Sequence, residues 1–316
     1  MKYLAPLWKR YAPECVSVGL LVLVLVVTAV REPRFFDTAY LFDRSTLYME
    51  AGLLTLAMTL VIVAGHIDLS VTSILALVGA IVATLHARLG IPLGVLIPLA
   101  PVLGAGFGWI NGALVAKRKL PSLVVTLATM ALYRGGAQIL LGDQSVPMPR
   151  WFVGVEKVSV PGTYFHVPLI LLLLATVAFG LLLHRSVLGR YITTVGVSSE
   201  AARYSGVPTE EVVTRVFVLS GATAGVAALL LLSRLGVARY DHARGLELDV
   251  ITAVVLGGTS IFGGRGTVFG SIVALLLIAT LQTGMGVSGV TTEIQVTAVG
   301  ILLITALLLA KITQRT

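Results

Sequence analysis

MEAGLLTLAMTLVIVA (Met49–Ala64), GHID (Gly65–Asp68) and LSVTSILALVGAIVATLHA (Leu69–Ala87) form two apolar runs with a short polar break between them. A helix that crosses a bilayer needs about 20 predominantly apolar residues, and each run approaches that length. An apolar helix with no polar face has no stable place in water. A break this short turns the chain straight back into lipid. The same alternation recurs along the chain, and the candidate spans are 15–30, 49–64, 69–87, 91–116, 121–141, 166–183, 213–233, 248–261, 267–283 and 294–311. The polar connections are 31–48, 142–165, 184–212 and 234–247. The expectation is an all-α, polytopic integral membrane protein of about ten transmembrane helices, in one continuous domain over 1–316.

Composition agrees. Of 316 residues, 57% are hydrophobic and 12% charged, against about 25% charged in a soluble domain; mean hydropathy is +0.97. The net charge of +8 does not point to nucleic acid, because the basic residues sit at the ends of apolar runs, where they anchor helices to lipid headgroups. The single cysteine, Cys15, excludes an internal disulfide framework and a multi-thiolate metal site. The apolar run 16–30 is followed by Arg31-Glu32-Pro33-Arg34, not by a small-residue cleavage site, and reads as a retained first span. With the N-terminus inside, the interior segments hold 13 Lys and Arg and the exterior ones 9, Arg134 within a span completing the 23. That bias places both termini in the cytoplasm.

Two internal patterns stand out. Gly104, Gly108 and Gly112 form consecutive GxxxG steps, and Gly221–Gly225 and Gly266–Gly270 repeat the spacing. Lipid offers no hydrophobic drive between helices, so close backbone approach through glycine supplies contact energy; packing is the plainer reading, a sliding face the alternative. Asp68 opens the third span, and Glu247 with Asp249 the eighth. A carboxylate there favours the free amides and positive end of a helix. Third and eighth are equivalent members of two five-helix halves, which predicts a five-plus-five inverted repeat.

Chemistry-bearing residues are few. There is no G-x-x-x-x-G-K-[ST] and no H-E-x-x-H, so neither a phosphate-cradling loop nor a zincin site is expected. Gly263-Gly264-Arg265-Gly266 lies between apolar spans and reads as a membrane turn. Acids in or beside spans are Glu50, Asp68, Glu247, Asp249 and Glu293. Charges in the membrane point to function by default, with capping as the bland alternative at span ends. Arg134, inside the fifth span, calls for an acid or helix-end carbonyls as partner. Within 184–212, Glu200-Ala201-Ala202-Arg203 has high helix propensity and ends at Gly206, with Pro208 beyond. A short exposed helix is expected there.

Four ordered stretches carry a resemblance. They are Met58-Thr59-Leu60-Val61-Ile62 through Gly65-His66-Ile67-Asp68-Leu69-Ser70-Val71; Leu120-Pro121-Ser122-Leu123-Val124-Val125-Thr126; Glu200-Ala201-Ala202-Arg203-Tyr204-Ser205-Gly206; and Glu247-Leu248-Asp249 leading to Leu256-Gly257-Gly258-Thr259-Ser260 and Gly263-Gly264-Arg265-Gly266. Together they resemble the signature of ribose-type ABC importer permeases, over about residues 50–310. The resemblance implies a permease that is not itself an enzyme, in a bacterial inner membrane. It implies a second permease subunit, identical or homologous, ABC ATPases that carry ATP and Mg, and a periplasmic solute-binding protein, with no cofactor on this chain. Glu200, Ala201, Ala202, Arg203 and Gly206, within 185–212, would be the ATPase coupling helix. His66, Asp68, Ser70, Thr126, Arg134, Glu247 and Asp249 are candidates for the translocation pathway. The family has Gly at His66 and Asn at Ser198. The stretches 120–126, 141–144 and 233–236 look most like the rhamnose-transporting branch; ribose, other aldoses and autoinducer-2 stay open.

Three rivals remain. An ion-coupled secondary transporter would want a mid-span carboxylate pair. A branched-chain amino-acid permease would share the architecture. A membrane-embedded enzyme would need a clustered acidic loop, whereas loop 142–165 offers only Asp143 and Glu156, with His166 nearby.

Overall fold

The computed structural model describes residues 5–31, 37–159, 163 and 165–315. Lys2, one of the interior basic residues counted for the orientation, and Glu32 to Arg34 lie outside them. The helices are α1 (Ala5–Arg31), α2 (Thr38–Ser45), α3 (Met49–Val63), α4 (Val71–Leu89), α5 (Leu93–Ala116), α6 (Ser122–Leu141), α7 (Val167–Arg185), α8 (Val187–Val197), α9 (Ser199–Tyr204), α10 (Thr209–Leu235), α11 (Leu246–Leu256), α12 (Val268–Val287) and α13 (Thr292–Arg315). Two-residue strands β1 (Val146–Pro147) and β2 (Val237–Ala238) pair antiparallel, Val146 opposite Ala238. They tie the loop after α6 to the loop after α10.

Seven segments are long and apolar enough to cross a bilayer: Tyr40–Val63, α4, α5, α6, α7, α10 and α12. The first runs back from α3 through a 3-10 turn, Thr46–Tyr48, into α2. Much of the expected connection 31–48 is therefore helical. α1 and α13 carry shorter apolar stretches, Cys15–Val30 and Thr292–Leu302. The expected span 248–261 is a helix of 11 residues, α11. At 1.5 Å per residue it covers about 16 Å, near half the hydrocarbon thickness. Glycine ends it: Gly258, Gly263 and Gly264 all have positive φ, a region closed to most other residues.

α3 and α10 form the centre. All 15 residues of α3 are buried, enclosed by α7, α10, α11 and α12. α10 packs along α5 through the GxxxG residues. A methyl group on Gly104 would strike the carbonyl of Gly221, one on Gly221 the carbonyl of Gly104, and one on Gly108 the carbonyl of Phe217. Backbones so close gain dispersion contacts along the whole crossing. The Gly266–Gly270 spacing makes no such face: Gly270 meets Gly257, and Gly266 meets Thr259 and Val63.

Candidate functional site

The polar break between α3 and α4 is a closed hydrogen-bond network. Asp68 is fully buried. Its Oδ1 accepts from the Ser70 amide at 3.0 Å and the Ser70 hydroxyl at 2.6 Å, and its Oδ2 from the Ser220 hydroxyl of α10 at 2.8 Å. Asn111 of α5 donates to Ser70 Oγ at 2.7 Å, and Tyr133 of α6 donates to Asn111 Oδ1 at 3.3 Å. The Thr126 hydroxyl donates to the Ile67 carbonyl at 3.2 Å, and the Ile67 amide to Ser122 Oγ at 3.3 Å. Asp68 thus does more than cap α4: it pins α4 to α10, and the partners extend the pin to α5 and α6. Hydrogen bonds to a charged acceptor contribute about 1.5–3 kcal/mol each. The His66 ring packs 6.0 Å from that of Phe217, and burial lowers its pKa to about 4.

Arg134 lies elsewhere. Arg134 is eight residues beyond Thr126 on α6, about 12 Å along the axis. Its Nη1 donates to the carbonyls of Tyr240 at 2.8 Å and His242 at 2.6 Å, so it holds the loop after β2. Glu247 accepts from Thr72 Oγ1 at 2.7 Å. Asp249 is half-buried one helical step further on. The sequence-based pathway candidates therefore do not form one cluster: His66, Asp68, Ser70 and Thr126 gather at the α3–α4 break, Glu247 joins its edge through Thr72, two residues beyond Ser70, and Arg134 turns instead to the loop after β2. In the latter loop Asp241 hydrogen-bonds Arg239 at 2.8 Å, and that hydrogen bond lowers the carboxyl pKa to about 2.

α8 and α9 build a hairpin beside the first cluster. Ser186 accepts from the Gly189 amide at 3.0 Å, and Ser198 from the Ala201 amide at 3.2 Å. Serine and asparagine are comparable N-caps, which gives a local reason why Ser198 can stand where the resembled family has Asn. Gly206, at φ 80°, ends α9. Ala202 is fully buried, while Glu200, Ala201, Arg203 and Gly206 are exposed and Tyr204 is 85% exposed. The hairpin touches the core through glycine: Gly196 sits against the Val63 carbonyl, which also accepts from the Gly264 amide at 2.9 Å. The last turn of α3, α8 and the α11–α12 loop therefore meet at one point, the Val63 carbonyl, three residues before His66.

Three network partners, Asn111, Tyr133 and Ser220, were not singled out from sequence. Asn111, alone among apolar neighbours in Trp109-Ile110-Asn111-Gly112-Ala113, was the available signal, since side-chain amides in spans act as interhelical glue. Arg234 was also missed. Its Nε lies 2.9 Å from Glu50 Oε1, and the two side chains are 22% and 2% exposed.

Residues 40–307 match the family model described as branched-chain amino acid transport system / permease component. The autoinducer 2 import system permease protein LsrD of Salmonella paratyphi A (strain ATCC 9150 / SARB42) is 34% identical over 304 residues, covering 94% of this chain and 91% of the relative. The protein of the same name from Yersinia pseudotuberculosis serotype O:1b (strain IP 31758) is 34% identical over 305 residues, with the same coverage. No solved structure matches the chain.

Proposed function

The chain belongs to the branched-chain amino acid transport system / permease component family, and from that premise we propose that it is the membrane subunit of an ATP-binding cassette importer for a small sugar-like solute. It is a transport component, not an enzyme. The observation that carries the importer reading is α9. A single-turn helix with a charged and aromatic surface, capped at both ends and keyed into the core by Ala202 and Gly196, suits a rigid contact with a motor subunit. Closure of paired ATPases would push α9, and the contact of Gly196 and Gly264 with Val63 would pass the movement to the break at His66–Ser70. The partners in this proposal are two ATPases carrying ATP and Mg, a second permease and a periplasmic solute-binding protein.

The relatives named for autoinducer 2 import favour a furanosyl or related monosaccharide, rhamnose- and ribose-like solutes included, over an amino acid. We place the chain in the bacterial inner membrane with both termini cytoplasmic. Ten membrane crossings would be reached if α1 and α13 span and the half-helix α11 completes its crossing through the glycine-rich loop to α12. Support for a five-plus-five repeat comes from paired packing, α4 against α10 and α5 as α11 against α3 and α12.

The test is Glu200→Lys in the assembled transporter. Uptake in vesicles should fall at least tenfold and the ATPase should dissociate, while the chain still folds because Glu200 is exposed. Undiminished uptake and docking would end the coupling assignment. Uptake that continues without any ATPase and collapses with an uncoupler would establish an ion-driven carrier instead.

A further inference from the structure

At the end of the bundle opposite α9, the α2 segment stands away from the last turn of α12 and the first turn of α13. A cavity of about 270 Å³ lies between them. Tyr40, Arg44, Tyr48, Gln282, Thr283 and Gln295 line it, with short apolar stretches between. The Tyr48 and Thr283 hydroxyls are 3.2 Å apart, and the Arg44 guanidinium lies over the Tyr40 ring, 5.1 Å from its centre. Gln295 donates to the Val290 carbonyl at 2.8 Å, which fixes the amide and leaves its oxygen as an acceptor. Among the described residues no carboxylate pairs with Arg44.

We infer that this cavity binds a single polyhydroxylated ring, a furanose or pyranose, on the face remote from α9. A water molecule takes about 30 Å³ of liquid, so the space equals roughly nine waters, enough for one small sugar and below the usual range for drug-sized ligands. Carboxamides offer a donor and an acceptor side by side, which matches neighbouring hydroxyls on a ring. The phenol rings supply apolar faces for the C–H side of a sugar. Arg44 supplies further donors to ring and hydroxyl oxygens. A zwitterionic amino acid would need an anion for its ammonium group, and no Asp or Glu is among the lining residues. The plain alternative is an interfacial tyrosine belt, which would bind no solute. The position as a loading site rests on the permease reading above; the binding does not.

The test uses thiol labelling of the full chain in its native membranes, with Cys15 replaced by Ser. Thr283→Cys reports from the wall, and Gly286→Cys, which also borders the cavity, is a second reporter should the first impair the fold. Each is labelled with a membrane-impermeant methanethiosulfonate, alone or with 10 mM D-ribose, L-rhamnose or L-leucine. At least one sugar should slow labelling threefold or more, leucine should not, and adding Gln282→Ala should abolish the protection. Lack of protection by either sugar, equal protection by leucine, or failure of both cysteines to label would overturn the inference. ATP-driven uptake in the same vesicles separates the two proposals. Uptake without protection would sink the cavity and spare the permease reading; protection without uptake would do the reverse.

Discussion

Replacing Arg234 with Met would strand the Glu50 carboxylate, which is 2% exposed and held at 2.9 Å by that guanidinium. Its second oxygen, Oε2, is buried without a partner, so the lost interaction has no substitute nearby. Breaking a buried pair by removing one partner costs about 3–5 kcal/mol. Arg234 keeps 22% exposure, which places the expected loss at the lower end, about 3 kcal/mol, or roughly a hundredfold in the folding constant. The double replacement Glu50→Gln with Arg234→Met removes the buried charge and should recover at least half. A control lies on α10, where the Arg215–Glu211 pair is 62% and 64% exposed; Arg215→Met should cost no more than about 0.5 kcal/mol. Reversible unfolding in SDS and mild-detergent micelles, followed by circular dichroism, measures the parent chain, these three variants and the single Glu50→Gln. If Arg234→Met cost under about 1 kcal/mol, or the double replacement were as unstable as the summed singles, a stabilising buried pair would be refuted.

Gly108→Leu should drive α5 and α10 apart and cost about 3 kcal/mol or more, whereas Gly106→Leu, with nothing within 4 Å of its Cβ position, should fold normally; similar detergent-solution stabilities for both would discount the crossing. Asp68→Ala orphans the Ser70 amide and two buried hydroxyls, at about 1–3 kcal/mol each. Asp68→Asn, which keeps an acceptor, should lose less, and SDS unfolding midpoints will rank them. For Asp241, the folded pKa of about 2 lies below its ordinary 3.8, so the contribution to the 239–245 loop is complete above about pH 4 and disappears as the pH falls through 2. Amide exchange in that loop should therefore quicken between pH 4 and pH 2, and Asp241→Asn should remove the dependence.

The class of this protein is legible in composition, and so are most helix positions, because a run of apolar residues reports its length directly. The α8–α9 hairpin is legible for a related reason: its caps Ser186 and Ser198 and its stop at Gly206 bond within three or four residues. The short α11 is less so, since an apolar run gives no sign of where glycines with positive φ will end it. The Asp68 network is hidden further, because Ser220 lies 152 residues away and nothing near Asp68 announces it.

Tertiary structure alone decided which helices are inside. Neither α3 nor α7 has a continuous polar face, yet every residue of α3 is buried, while on α7 only Pro168 and Leu183 are. In water the polar face of a helix marks the outside. In a bilayer the core and the lipid are equally apolar, so that periodicity is missing, and only the close approach of glycine backbones and a few buried hydrogen bonds select neighbours.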